Sequence, residues 1–155
     1  MYIKPFLKYS FTLVLFCTYQ LSAQNKFTAK FQKSSVYSGI EVGSKGVKMS
    51  LLEIDETSKD NSGYVVLKDT SINTDFISFT QSTYQATLAA LNKLYEISTK
   101  EYKIPPSHIF TAVSSGVNIQ AEKEDKKNWI DQLIGAFKFN YNEPERKVTV
   151  IDVVE

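Results

Sequence analysis

Between residues 41 and 46 the chain reads Glu41-Val-Gly43-Ser44-Lys45-Gly46, a set of residue types that could hold a phosphate. Gly43 and Gly46 bracket Ser44-Lys45, so the backbone there can take positive φ and come close to a ligand. Exposed N–H groups, a hydroxyl, an ammonium and the nearby Glu41 carboxylate make a cradle for a phosphate and its metal. The same pattern also reads as an ordinary β-hairpin connection. A second hydroxyl-rich turn, Ser114-Ser115-Gly116, follows the apolar run His108 to Val113. His108 is the sole imidazole and sits after Pro105-Pro106. It reads as a structural or exposed residue rather than a ligand.

Those turns need elements to carry them. Val36, Ile40 and Val42 lead into the first turn, and Val47, Met49 and Leu51 lead out with the alternation of a half-buried strand. Asp55 to Gly63 is a polar turn, and Tyr64-Val-Val-Leu67 a third, β-branched strand. Ser82 and Gln85 read as a capping box that opens a helix bearing Tyr84, Leu88, Leu91 and Tyr95 on one face. Ile104-Pro105-Pro106 stops it. After the fourth strand and the Ser114-Gly116 turn, a second helix is expected from about Glu124. Its inner face carries Trp129, Ile130, Leu133, Ile134 and Phe137, and the Trp and Tyr rings of both helices read as core. Val148 to Val154 is β-prone. The order is β-β-β-α-β-α-β, an α/β lobe, and each αβ unit demands a parallel crossover.

Length and composition bound the rest. With 155 residues, 43% of them hydrophobic, the chain is one domain's worth and can bury a real core. A net charge of +1 gives no basic field for nucleic acid. Lys4 and Lys8 precede the apolar run Phe11 to Cys17, and Ala23 offers a small residue for cleavage. Residues 1–23 therefore read as a signal peptide, 24–34 as a tether and 35–155 as the lobe. The apolar run is shorter than the ~20 residues a membrane helix needs, so no span is expected after cleavage. Export to the periplasm or the extracellular space follows. Cleavage would remove Cys17, the only cysteine, together with Lys4 and Lys8, and so move the formal charge from +1 to −1.

The element order with a glycine-punctuated first turn resembles the ribonuclease H-like lobe of the actin, sugar-kinase and Hsp70 group. Within it the chain most resembles the exopolyphosphatase/guanosine-pentaphosphate phosphohydrolase (Ppx/GppA) family. Gly39-Ile-Glu-Val-Gly-Ser-Lys-Gly46 looks like that family's first phosphate loop, D-[IL]-G-S-[NA]-S. Ala112-Val-Ser-Ser-Gly-Val-Asn118 is similar to its A-T-S-A-x-R segment, and Val148 to Glu155 to its strand leading into E-E-A. The resemblance implies a mixed five-stranded sheet in the order 3-2-1-4-5. It also implies a phosphate or polyphosphate-like ligand held by Gly43, Ser44, Lys45, Gly46, Ser114, Ser115 and Gly116, Mg2+ held through water by Glu41, and Glu155 as the catalytic base.

This chain departs from the family pattern. Glu41 replaces Asp, Asn118 replaces an Arg that would clamp phosphate, and the second lobe is missing, so the lobe is expected to need that lobe or a partner chain and to be inactive alone. An activity on polyphosphate or nucleotide phosphoanhydrides would belong to the completed protein. The competing expectation is a non-enzymatic cell-envelope binding module with an eroded phosphate loop, its apolar Val150, Ile151 and Val153 left near a sheet edge. A ribonuclease H-type nuclease needs several acids on two metals, but the fourth strand runs into Ser114-Ser115. A sugar kinase needs ATP, which an exported protein would seldom meet.

Overall fold

A computed structural model of the chain describes residues 27–58 and 63–152. The expected signal peptide with Cys17, the first residues of the tether, Val153 and Glu155 lie outside the described residues.

Alternation builds the first two strands. β1 (Ser34–Gly43) and β2 (Gly46–Asp55) pair antiparallel with Val42 opposite Val47 and Ile40 opposite Met49. These four and Leu51 fall on one face and are no more than 2% exposed. β3 (Tyr64–Asn73) adds to β2 antiparallel, with a register slip between Leu51 and Leu52. β4 (Ile109–Val113) lies parallel to β1, and the short β5 (Val148–Val150) parallel to β4. The sheet order is β3-β2-β1-β4-β5, as expected.

Three α-helices lie among the described residues, one more than expected. α1 (Gln81–Glu96) buries Ala90, Leu91, Leu94 and Tyr95. Its cap is Thr80 rather than Ser82: the Thr80 hydroxyl accepts from the Thr83 N–H at 3.2 Å, and the Thr83 hydroxyl accepts from the Thr80 N–H at 3.1 Å. Phe79 before the cap and Tyr84 after it both lean on the Trp129 indole, which fixes the earlier start. A wider turn over Ile97–Glu101 ends the helix before the prolines.

The stretch expected to turn away after β4 is instead a helix, α2 (Ser115–Lys123), followed after a break at Glu124–Lys126 by α3 (Lys127–Asn140). Asp125, in the left-handed region at φ 55°, makes the break. α2 escaped the sequence reading because it buries only Val117, Asn118 and Ala121 amid polar neighbours, a stripe too narrow to stand out. α3 buries Ile130, Leu133 and Phe137, with Trp129 and Ile134 packed alongside.

The buried residues of the strands all point to the helical side of the sheet. The opposite face stays open, and its Phe110 is 61% exposed. The described part of the tether is tied down. Phe27 stacks on Tyr102, and the backbone N–H groups of Lys30 and Phe31 donate to the buried Glu53 carboxylate.

Candidate functional site

The tip of the β1–β2 hairpin is Ser44-Lys45, closed by the pair Gly43 and Gly46. None of the described glycines takes positive φ, so the turn does not use glycine as expected. Gly46 is needed for space instead. A Cβ there would lie 2.2 Å from the Ile72 carbonyl oxygen, because β3 crosses directly behind. The same proximity lets the Thr74 N–H donate to the Lys45 carbonyl at 3.0 Å, which holds the tip against the end of β3.

β4 reaches the same place from the other side. The Ser114 N–H donates to the Val42 carbonyl at 2.9 Å, so the strand ends lie side by side. The Ser114 carbonyl then accepts from the Val117 and Asn118 N–H groups and starts α2. The hairpin tip and the β4–α2 turn thus meet at the carboxyl ends of β1 and β4, where open α/β sheets place ligands.

A crevice of about 520 Å³ opens there, lined by Glu41, Gly43, Ser44, Lys45, Gly46, Lys48, Ser71, Asn73 and Ser114. Five of the seven expected phosphate residues are in that lining. Gly116 sits behind Ser44, and Ser115 opens α2 without reaching the lining. Glu155 is outside the described residues. Lys48, Ser71 and Asn73 were missed. Lys48 was legible, since pairing Gly43 with Gly46 sets Glu41 opposite Lys48. Ser71 and Asn73 lie past the strand expected over residues 64–67: β3 runs on to Asn73 and pairs them with Lys48 and Gly46.

Two ammonium groups, three hydroxyls and an amide suit the oxygens of a multiply charged anion. No aromatic side chain lines the crevice to stack a base. The Mg2+ expected beside Glu41 fits less well. Glu41 is the only carboxylate in the lining, and no three His, Cys, Asp or Glu side chains come together for a metal among the described residues. Directly opposite residues have Cβ atoms about 5 Å apart. A divalent ion beside Glu41 would therefore share its surroundings with the Lys48 ammonium, a like charge. Asp69 and Lys48 share an adjoining hollow on the same face.

Asn118 is 2% exposed and its Oδ1 has no partner, so it is a core residue and offers no clamp to the crevice. His108 stacks on Tyr37 with ring centres 4.5 Å apart, at the opposite end of the sheet, the structural role expected of it. A cavity of about 600 Å³ also opens at that far end, between Pro106, Phe110 and the loop around Glu143–Lys147. Its buried cation, Arg146, is spent on Glu143, the Tyr95 hydroxyl and the Ile109 carbonyl. It therefore has less to offer an anion than the crevice.

No family model matches the sequence, and no curated protein does. Solved structures match the fold. A Ppx/GppA family member from Aquifex aeolicus superposes with a TM-score of 0.57 at 14% identity, over 77% of this chain and 36% of that one. An exopolyphosphatase from Cytophaga hutchinsonii gives a TM-score of 0.52 at 18% identity, over 76% of this chain and 34% of that one. The chain thus has the fold of one lobe of those proteins and spans about a third of their length. At these identities the likeness is one of fold. No helix among the described residues is long and apolar enough to cross a membrane.

Proposed function

We propose that the chain is an exported lobe that holds a phosphate or polyphosphate-like anion at the hairpin tip, and that it contributes half of a phosphohydrolase site. The observation that carries this reading is the meeting of the Ser44-Lys45 tip with Ser114 in one crevice. Lys45 and Lys48 would neutralise the anion, while the Ser44 and Ser114 hydroxyls and the tip amides would orient it. A base to activate water is not among the lining residues other than Glu41, so turnover is assigned to the lobe joined to a second lobe or partner chain. Export rests on the N-terminal sequence, and mass spectrometry of the secreted product tests it: a chain starting at Gln24 is expected.

Calorimetric titration with pyrophosphate and short polyphosphate tests the binding. Heat that Ser44→Ala abolishes supports it, and absence of heat in both proteins sinks it. The open sheet face, with Phe110, Tyr64 and Val66 exposed, favours a second reading as an envelope interaction module. That reading expects no heat with phosphates, and self-association that Phe110→Ser relieves.

A further inference from the structure

The phosphate-site reading leaves open what neutralises the anion, and the donor set answers that. Lys45 and Lys48 both line the crevice, against one carboxylate, Glu41. Lys48 stands directly across the β1–β2 ladder from Glu41, on the same face of the sheet. The position beside Glu41 where a cation would sit is therefore within reach of a cation built into the chain. The remaining lining groups, Ser44, Ser71, Asn73 and Ser114, can donate to phosphate oxygens, and none adds a second carboxylate beside Glu41.

We infer that the crevice binds its phosphate oligoanion without a divalent cation, the Lys48 ammonium, across the ladder from Glu41, supplying the positive charge that a metal would otherwise bring. The inference rests on the phosphate-site reading and deepens it. It makes Glu41 a like-charged neighbour of the anion rather than a metal ligand. Removing the carboxylate then removes a repulsive charge.

The test is calorimetric titration of the full chain, as the expressing cell processes it, with inorganic tripolyphosphate, in EDTA and again in millimolar Mg2+. Binding in EDTA is expected to be at least as tight as in Mg2+, and to weaken with added salt. Lys48→Met is expected to weaken it roughly tenfold. Its melting temperature should be unchanged, because Lys48 is exposed. Glu41→Gln is expected to tighten binding several-fold in EDTA, the opposite sign from the loss a metal ligand would show. Binding that appears only with Mg2+, or that Lys48→Met leaves intact in EDTA, overturns the inference while the phosphate-site reading stands. No binding under either condition overturns both.

Discussion

The Ser44 hydroxyl oxygen lies 3.2 Å from the point where a β-carbon on Gly116 would stand, across the gap between the hairpin tip and the first turn of α2. The tip and the turn are thus close neighbours, joined by the Ser114 N–H bond to the Val42 carbonyl. Gly116→Ala would place a methyl in a space that is tight but bounded by a rotatable hydroxyl. Alanine also suits a helix better than glycine, by up to about 1 kcal/mol. Folding stability is expected to stay within roughly 0.5 kcal/mol, while tripolyphosphate affinity falls several-fold as Ser44 is displaced. A thermal melt beside a titration separates the two; unchanged affinity would remove Ser44 from the binding set.

Gly46 should behave differently. Its added Cβ would meet backbone, 2.2 Å from the Ile72 oxygen and 2.9 Å from Asn73 Cα, and backbone in a paired strand does not rotate away. Gly46→Ala is expected to cost about 3 kcal/mol, read from urea unfolding. A loss under 1 kcal/mol would mean that β3 is less firmly held behind the tip than the structure indicates.

Glu53 is a buried carboxylate satisfied by the tether. Both of its oxygens accept from the Lys30 N–H, and one also accepts from the Phe31 N–H and the Ser34 hydroxyl at 2.7 Å. Burial pushes its pKa up, but the Lys30, Ser34 and Phe31 donors outweigh it and hold the pKa below the ordinary 4.5. A carboxylate depressed on folding stabilises the fold above its unfolded pKa. That stabilisation is lost as pH falls through the folded value. Stability should therefore decline in acid below about pH 4.5, and Glu53→Gln should cost roughly 2–3 kcal/mol at neutral pH and flatten that decline. Unfolding curves of both proteins across the acid range decide it.

The alkaline limit comes from the far end of the sheet. Burial, followed by the hydrogen bond to Glu143, raises the Tyr95 phenol from 10 to about 12, and burial raises Tyr141 to about 12. For groups raised on folding the stabilisation is complete below the unfolded value and lost as pH climbs through the folded one. The melting temperature should thus fall between pH 10 and about 12, and Tyr141→Phe should soften the fall. Ultraviolet titration of tyrosinate in the folded protein gives an independent check.

Asn118 leaves a buried carbonyl oxygen without a partner. Leucine has the same branched shape and no polar atom. Asn118→Leu is expected to raise stability by about 1 kcal/mol without changing anion affinity, because the side chain points into the core. Weaker binding in this variant would show that Asn118 communicates with the crevice.

The strands were legible because alternation survives in a single sequence: Ile40, Val42, Val47 and Met49 mark one face whatever the rest of the chain does, whereas the sheet order was expected only from the resemblance to the Ppx/GppA lobe. The two site turns were legible for the same reason, each sitting at the end of an apolar run. α2 was not, since a helix that buries Val117, Asn118 and Ala121 has almost no apolar stripe, and Gly116 imitates a turn. The start of α1 was misplaced because Thr80 and Ser82 are both competent caps, and only the packing of Phe79 and Tyr84 on Trp129 chooses between them.

By itself the sequence determined which residues alternate and which turns follow them, because those are local properties of the chain. The tertiary structure alone decided that Gly46 is needed for the passage of β3 rather than for positive φ. It alone brought Ser71 and Asn73 into the crevice, by extending β3 along β2 past Leu67 to the hairpin tip. Local periodicity specifies faces, but distances between segments far apart in sequence are settled only when the sheet closes around its core.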